Sequence, residues 1–475
     1  MLVLPVKALY NRRIRDAHPA SSNFLWREQK QAGAKRAQIA AVKCNFGAQT
    51  VYNYAMLLIH SASQVLTLAG APQRGRDLGR LGLIADGAVL VADGQILAVG
   101  ESTDLTRRYP HAPRFDAGGR VILPGLVDPH THLIWAGDRA AEFEMRLEGK
   151  TYQEISAAGG GIRATVRATR AASLEELKAA ARERTRAMLR CGTTTAEAKT
   201  GYALQHPGEL TQLQAILELD AEGPLELAPT YLAAHDIAPE YLHDAQGYTD
   251  LICTTLLPQA AAWWQAHAAD RPLPFVDVFC ESIAFDLDQS RRILRQAQSL
   301  GFPLKIHADE FDNLGGAALA AELDAASADH LVKTSPADIT ALAASDTVAV
   351  ALPCTPFGLG QAHYTPARAI LAAGGLLAIA SDLNPGTAWC ENMQFVIALA
   401  CRSLGLTPAQ AIAAATINAA AAIQRAGRIG SLEAGKQADL LVLNVSDYRH
   451  LGYRFGGNLA ARVMKRGQWA AENPL

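Results

Sequence analysis

Eight short apolar runs recur along the middle of the chain, near residues 123–132, 193–199, 227–235, 275–281, 304–310, 326–331, 347–354 and 376–383. Between several of them lie Ala-, Leu- and Glu-rich stretches with helical spacing, such as Leu174–Leu189 and Ala367–Ala373. Regular alternation of strand and helix gives a parallel sheet with helical crossovers. Eight such units over roughly 300 residues predict an α/β fold of the (β/α)8 TIM-like barrel type. In that architecture chemistry collects at the C-terminal ends of the strands. The polar residues that close each run are therefore the candidates.

The flanks read differently. Met56–Ala69 is apolar and partly alternating, and Gly87–Gly100 reads as a hairpin turning at Asp93-Gly94, a favoured two-residue turn. Similar β segments return at Ala438–Asn444 and Ala461–Gly467. They predict a small β-sandwich domain drawn from both ends of the chain, 56–122 and 426–475, around a barrel at 123–425. Residues 1–55 stand apart, with nine Lys and Arg against Asp16 and Glu28, a charge of +7. A basic, acid-poor segment of this kind is expected to be a disordered leader, an organellar transit peptide, or the product of a start assigned upstream of Met56.

Composition narrows the function classes. Hydrophobic residues make up 49% and charged residues 19%, enough apolar material for a large core. A net charge of −2 gives no electrostatic footing for nucleic acid or an anionic membrane. No apolar run reaches the roughly 18 residues a membrane helix needs. The cysteines number seven, an odd count without a C-x-x-C pair, so a reducing cytoplasm fits best.

The first run ends in His130-Thr131-His132, and residues i and i+2 of a strand share a face. Other runs end in His235, in His307-Ala-Asp-Glu310, in His330 and in Ser381-Asp382-Leu-Asn384. Any one of these is as readily a turn or cap residue as a ligand. Together they place metal-type donors at five strand ends. The simplest assembly is one metal ion held by His130, His132, His307 and Asp382, with Glu310, His330 and Asp382 moving protons. An ion that lowers a water pKa from 15.7 to about 7 eases deprotonation by about 11 kcal/mol. A general base alone supplies about 3–5 kcal/mol. Binuclear barrels of this type use a carboxylated Lys at the end of strand four. Here that strand ends Phe279-Cys280-Glu281, so one ion is expected, and Lys199 at the end of strand two is read as structural.

Several stretches resemble the amidohydrolase superfamily and, within it, the imidazolonepropionase family. They are Asp128–Arg139, Glu142–Arg146, Gly159–Ile162, Thr200–Tyr202, His307–Glu310 and Ser381–Thr387. The resemblance implies hydrolysis of 4-imidazolone-5-propanoate to N-formimidoyl-L-glutamate with one Zn or Fe ion per subunit. It also implies a small-molecule partner with a carboxylate tail, and a homodimer or monomer. Substrate contacts carry over to Arg139, Tyr202, His235 and Glu310, and product contacts to Tyr202, Asn384, Gly386 and Thr387. A carboxylate tail suits the bidentate guanidinium of Arg139. Read without the resemblance, Arg139 is an ion pair with Asp138 or Glu142, Tyr202 is a loop aromatic, and Asn384–Thr387 is a turn. The strand-seven exit, Leu352–Gly360, departs from the family's pattern, as does Ala203 after Tyr202. Two rivals remain. A nucleobase deaminase of the cytosine or guanine type would use the same donors and release ammonia. A metal-storing or structural barrel would bind the ion without turnover.

Overall fold

A computed structural model describes residues 56–150, 154 and 159–473, so the basic segment 1–55 lies outside the described residues. Two sheets carry the fold. The strands are β1 (Met56–Leu66), β2 (Leu83–Ala92), β3 (Gln95–Glu101), β4 (Arg114–Asp116), β5 (Val121–Pro124), β6 (Leu126–Asp128), β7 (Thr193–Lys199), β8 (Glu226–Ala234), β9 (Phe275–Cys280), β10 (Lys305–Ala308), β11 (Ser327–His330), β12 (Val348–Ala351), β13 (Leu376–Ile379), β14 (Leu440–Leu443), β15 (Ala460–Lys465) and β16 (Gln468–Glu472).

Strands β6 to β13 pair in chain order, every neighbour parallel. The ring is drawn together where Thr131 bridges Leu383, with the His132 N–H donating to Leu383 O at 2.9 Å. The strands run without alternation because both faces are covered, inner face by inner face and outer face by helices. All of Val348–Ala351 and Leu376–Ile379 is buried, for example. The helix Leu174–Arg190 begins at a capping box, in which Ser173 and Glu176 satisfy each other's backbone N–H groups.

The first apolar run, expected as one strand, is two. Val121–Pro124 joins the terminal sheet beside β1 and β14, and Leu126–Asp128 starts the barrel. Gly125 is the hinge. Its N–H donates to Asp439 O at 3.0 Å, and a Cβ there would meet Thr194 Oγ1 at 2.2 Å. Other strands end earlier than the apolar runs that contain them. The run at 347–354 stops at Ala351 and gives way to the helix Cys354–Gly358. Asp309, His330 and Asp382 take positive φ values of 57°, 79° and 56°, which turn their side chains out of the strand repeat. A non-glycine residue held there costs about 1–3 kcal/mol, and such strain concentrates at working sites.

The second sheet has the order β16-β15-β14-β5-β1-β2-β3, with β4 against β1. It curls, so that β3 meets the approach to β14: Gln95 bridges Gln437 and the Ile96 N–H donates to Lys436 O at 2.8 Å. Ile59, Val65, Val89, Val91, Ile122, Leu440, Val442 and Met464 fill the space within. Asp93 and Gly94 both take positive φ, 50° and 78°, as a two-residue turn between twisted strands requires.

Candidate active site

Below the mouth of the barrel lies a wholly buried charge network. Lys199 Nζ pairs with Glu197 at 2.9 Å and Asp277 at 2.7 Å. Lys305 Nζ donates to Pro129 O at 2.8 Å and pairs with Glu197 at 3.1 Å. Asp329 lies 3.8 Å from Lys199 and 3.6 Å from Lys305. Burial works against the charge on Lys199, but Asp277 and Glu197 outweigh it and hold the ammonium form. Lys199 thus has the structural place expected of it, as the cation of the site's floor.

The histidines stand on this floor. Asp329 holds His130 Nδ1 at 2.6 Å, and Asp277 lies 3.0 Å from His307 Nδ1. Asp329 fixes the Nδ1 side of His130 and turns its Nε2 inward, as carboxylates do behind ligand histidines, and Asp277 stands within ion-pair distance behind His307. His132 Nε2 lies 3.3 Å from His307 Nε2. Asp382 Oδ1 lies 3.4 Å from His130 Nε2 and 3.5 Å from His132 Nε2. His130 Nε2 and Asp382 Oδ1 are buried without a hydrogen-bond partner, as is His330 Nε2. Donor atoms within 4.8 Å of one another join His130 with His132 and Asp382, His130 with His307 and His330, and His132 with His235 and His307.

This arrangement fits a divalent cation on two counts. Donors about 2.1 Å from one tetrahedral ion lie about 3.4 Å apart, the spacing just given. The charges also fall short. Among the described residues Glu197, Asp277 and Asp329 surround Lys199 and Lys305, and Asp382 adds a carboxylate whose ion-pair partners are His130 and His132, so carboxylates outnumber ammonium groups. Burial lowers His132 and His330 to about 4, and holds His307 well below its usual value. Only His130 is raised, because Asp329 and Asp382 outweigh burial and Lys199. Burial alone would raise Asp382, but hydrogen bonds from His130 and His132 hold it well below the usual carboxylate range.

Glu310 and His330 flank the cluster, with Glu310 Oε2 3.6 Å from His330 Nδ1. Burial, then the charges of Asp382 and Glu281, push the Glu310 carboxyl well up and favour its protonated form. Glu281, the strand-four terminus, accepts from the N–H groups of Glu310, Phe311 and Asp312 at 2.9–3.0 Å and so shapes this loop. Thr355, from the divergent strand-seven exit, donates its hydroxyl to Asp382 Oδ2.

The remaining candidates fall into two places. His235 and Tyr202 line the cluster: His235 stacks on His132 at 4.5 Å between centroids, and Tyr202 lies 5.8 Å from His132. His235 Nδ1 meets Gly201 O at 3.0 Å, which leaves Nε2 as an acceptor. Arg139, Gly386 and Thr387 line a neighbouring cavity of about 560 Å³. Arg139 is also in the ion pair expected without the resemblance, Nε to Glu142 at 2.8 Å. Asn384 spends its side chain on its own turn, accepting from the N–H groups of Gly386 and Thr387 at 2.8 Å each.

Sequence reasoning passed over Glu197, Asp277, Lys305 and Asp329. A signal was present, since each is a charged residue within a fully buried stretch of strand and a buried charge requires partners. Thr355 carried no such signal. Glu209 and Gln212 were passed over as well. Glu209 accepts from the N–H groups of Gly201, Ala203 and Leu204, and Gln212 from those of Tyr202 and Ala203, fixing the Tyr202 loop.

Comparison with known proteins is consistent along the chain. Residues 291–470 match the amidohydrolase family, and residues 87–112 match the imidazolonepropionase-like composite domain of bacteria. The imidazolonepropionase of Chloroflexus aggregans is 52% identical over 421 residues, covering 88% of this chain and 99% of that protein. That of Herpetosiphon aurantiacus is 49% identical, covering 88% and 98%. Among solved structures, E. coli guanine deaminase aligns with a TM-score of 0.63 at 15% identity, covering 88% of this chain and 99% of that one. The 5-methylcytosine deaminase of Klebsiella pneumoniae gives 0.63 at 17%, covering 88% and 98%. At such identities the deaminases share the fold.

Proposed function

This chain belongs to the imidazolonepropionase family of amidohydrolases, and from that membership we propose how its own residues carry the reaction. It is a hydrolase that opens the cyclic amide 4-imidazolone-5-propanoate to N-formimidoyl-L-glutamate in histidine degradation. Water oxygen must bond to the ring carbonyl carbon, the ring C–N bond must break, and the departing nitrogen must take a proton.

His130, His132, His307 and Asp382 are assigned to one zinc or iron ion per subunit. When bound, such an ion lowers the pKa of water from 15.7 to about 7 and polarises a carbonyl oxygen. The observation that carries the assignment is the convergence of four buried side chains whose donor atoms lie 3.3–3.5 Å apart, with His130 Nε2 and Asp382 Oδ1 without a hydrogen-bond partner among the described residues, above a floor in which carboxylates outnumber ammonium groups.

The proton path runs through Glu310 and His330. The Glu310 carboxyl, protonated by burial, gives its proton to the departing nitrogen. Neutral His330 takes the water proton at Nε2 and passes the Nδ1 proton to Glu310, 3.6 Å away. The Asp382 carboxylate favours the transient imidazolium of His330. His235 Nε2 accepts from a ring N–H, and Tyr202 closes the wall beside it. Arg139, with Gly386 and Thr387, takes the propanoate. The reduced cysteines suit a cytoplasmic location.

Purified metal-loaded protein is expected to consume 4-imidazolone-5-propanoate and yield N-formimidoyl-L-glutamate by mass spectrometry, without ammonia. Ammonia release, or turnover of cytosine or guanine in its place, would transfer the chain to the deaminases.

A further inference from the structure

Two arginines, not one, face the cavity beside the cluster. Arg139 and Arg146 both line it, together with Phe143, Gly386, Thr387 and Trp389. They lie seven residues apart across the helix Ala140–Leu147, a spacing that brings side chains to one face. Both grip the same loop. A Cβ on Gly386 would stand 2.3 Å from Arg139 Nη1, and Gly386 O accepts from Arg146 Nη2 at 3.2 Å.

Their charges are not equivalent. Glu142 neutralises Arg139 at 2.8 Å and is itself fixed, since its other oxygen accepts the Gly161 N–H at 3.0 Å. Glu142 and Arg146 are four residues apart and could pair, yet Glu142 is turned back to Arg139. Among the described residues Arg146 has a carbonyl partner and no carboxylate within ion-pair distance. Asp138, at the exposed rim, spends Oδ1 on the Ala140 N–H. Half-buried Arg146 is destabilised by burial and then by Arg139, with Glu142 opposing only from a distance. A carboxylate in the cavity would relieve both penalties.

We propose that Arg146 is the specificity-determining residue for the substrate's tail: it supplies the uncompensated positive charge that recognises the carboxylate, while Arg139, tied to Glu142, orients it. The inference rests on the reading of this cavity as the propanoate site. A neutral-tailed imidazolone would leave Arg146 uncompensated and bind weakly, because a guanidinium without its partner keeps its desolvation penalty.

The test uses the metal-loaded full chain and two substrates, 4-imidazolone-5-propanoate and its propanamide analogue. Arg146→Gln is expected to raise KM for the carboxylate about 10- to 100-fold, the range for one charge-assisted hydrogen bond. kcat should stay within about twofold, since the tail is held alike in ground and transition states. KM for the amide should hardly move, and Arg146→Lys should recover most of the loss. An equal rise for both substrates, or no rise for either, overturns the inference. Arg139→Gln separates the two layers. If it raises KM and Arg146→Gln does not, only this inference falls. If neither raises KM, the reading of the cavity falls with it.

Discussion

The barrel carries a charge cluster around buried carboxylates at each end, and the two are finished differently. At the start of β8, Glu226 meets Arg425 at 2.8 Å, Arg428 at 2.6 Å, Lys465 at 3.1 Å and Arg466 at 3.1 Å. Lys465 also pairs with Asp439 at 2.7 Å. No atom of this group is among the buried atoms left without a hydrogen-bond partner in the described residues. At the other end, around His130, His132, His330 and Asp382, buried donors and acceptors stand unpaired and two of the four residues hold positive φ. A satisfied cluster ties β8 to the terminal sheet. An unsatisfied one bears a cost that only a ligand can relieve. Incompleteness, rather than the mere presence of charge, separates the working end from the structural one.

The sharpest way to break the comparison is Asp382→Asn. Turnover should fall by on the order of 10³-fold or more, with loss of bound metal, because the site loses its carboxylate charge and keeps only a neutral, weaker amide oxygen there. Steady-state kinetics with metal analysis checks this, and a metal-loaded, fully active variant would end the contrast. Glu226→Gln is the counterpart. It leaves four cations around a neutral amide and should cost about 3–5 kcal/mol of stability, seen in denaturant unfolding, with activity per folded molecule unchanged. The pH sign follows from the shift. Burial would raise Glu226, but Lys465 and Arg425 hold it far below its ordinary 4.5. Its stabilisation is therefore full above that value and lost as pH falls below it. The stability gap between native protein and variant should narrow from pH 4.5 downward. A gap that widens there would refute the pairing. The smallest effect is expected at Asp329→Asn, which keeps the shape behind His130 and removes its charge. Metal affinity should drop about 10–100-fold, measured by chelator competition, with stability much less affected than by Glu226→Gln.

Much of this was legible before folding. The alternation of apolar and helical runs marks the positions of the barrel strands, with ends displaced by a few residues at Ala351 and Ile379. Those ends moved because the next residues turn into loops, where apolar character no longer reports strand geometry. His130 and His132 announce themselves by adjacency. Asp329 and Asp277 do not, since each is a single acid whose partner lies far along the chain, 199 residues away for Asp329 and His130. Nothing in the sequence sets Arg146 apart from the other arginines; the pairing of Glu142 with Arg139 does.

The sequence alone determined where strands and helices alternate, which strand ends carry imidazoles and carboxylates, and the family these match. Those are local properties, written in spacings of two and of three to four residues. Only the tertiary structure decided which charges are compensated. It set Lys199 and Lys305 under the histidines, surrounded Glu226 with cations, and left Arg146 without a carboxylate. Whether a buried charge is satisfied depends on atoms that separate strands bring within a few ångströms, and closing the barrel is what brings them there.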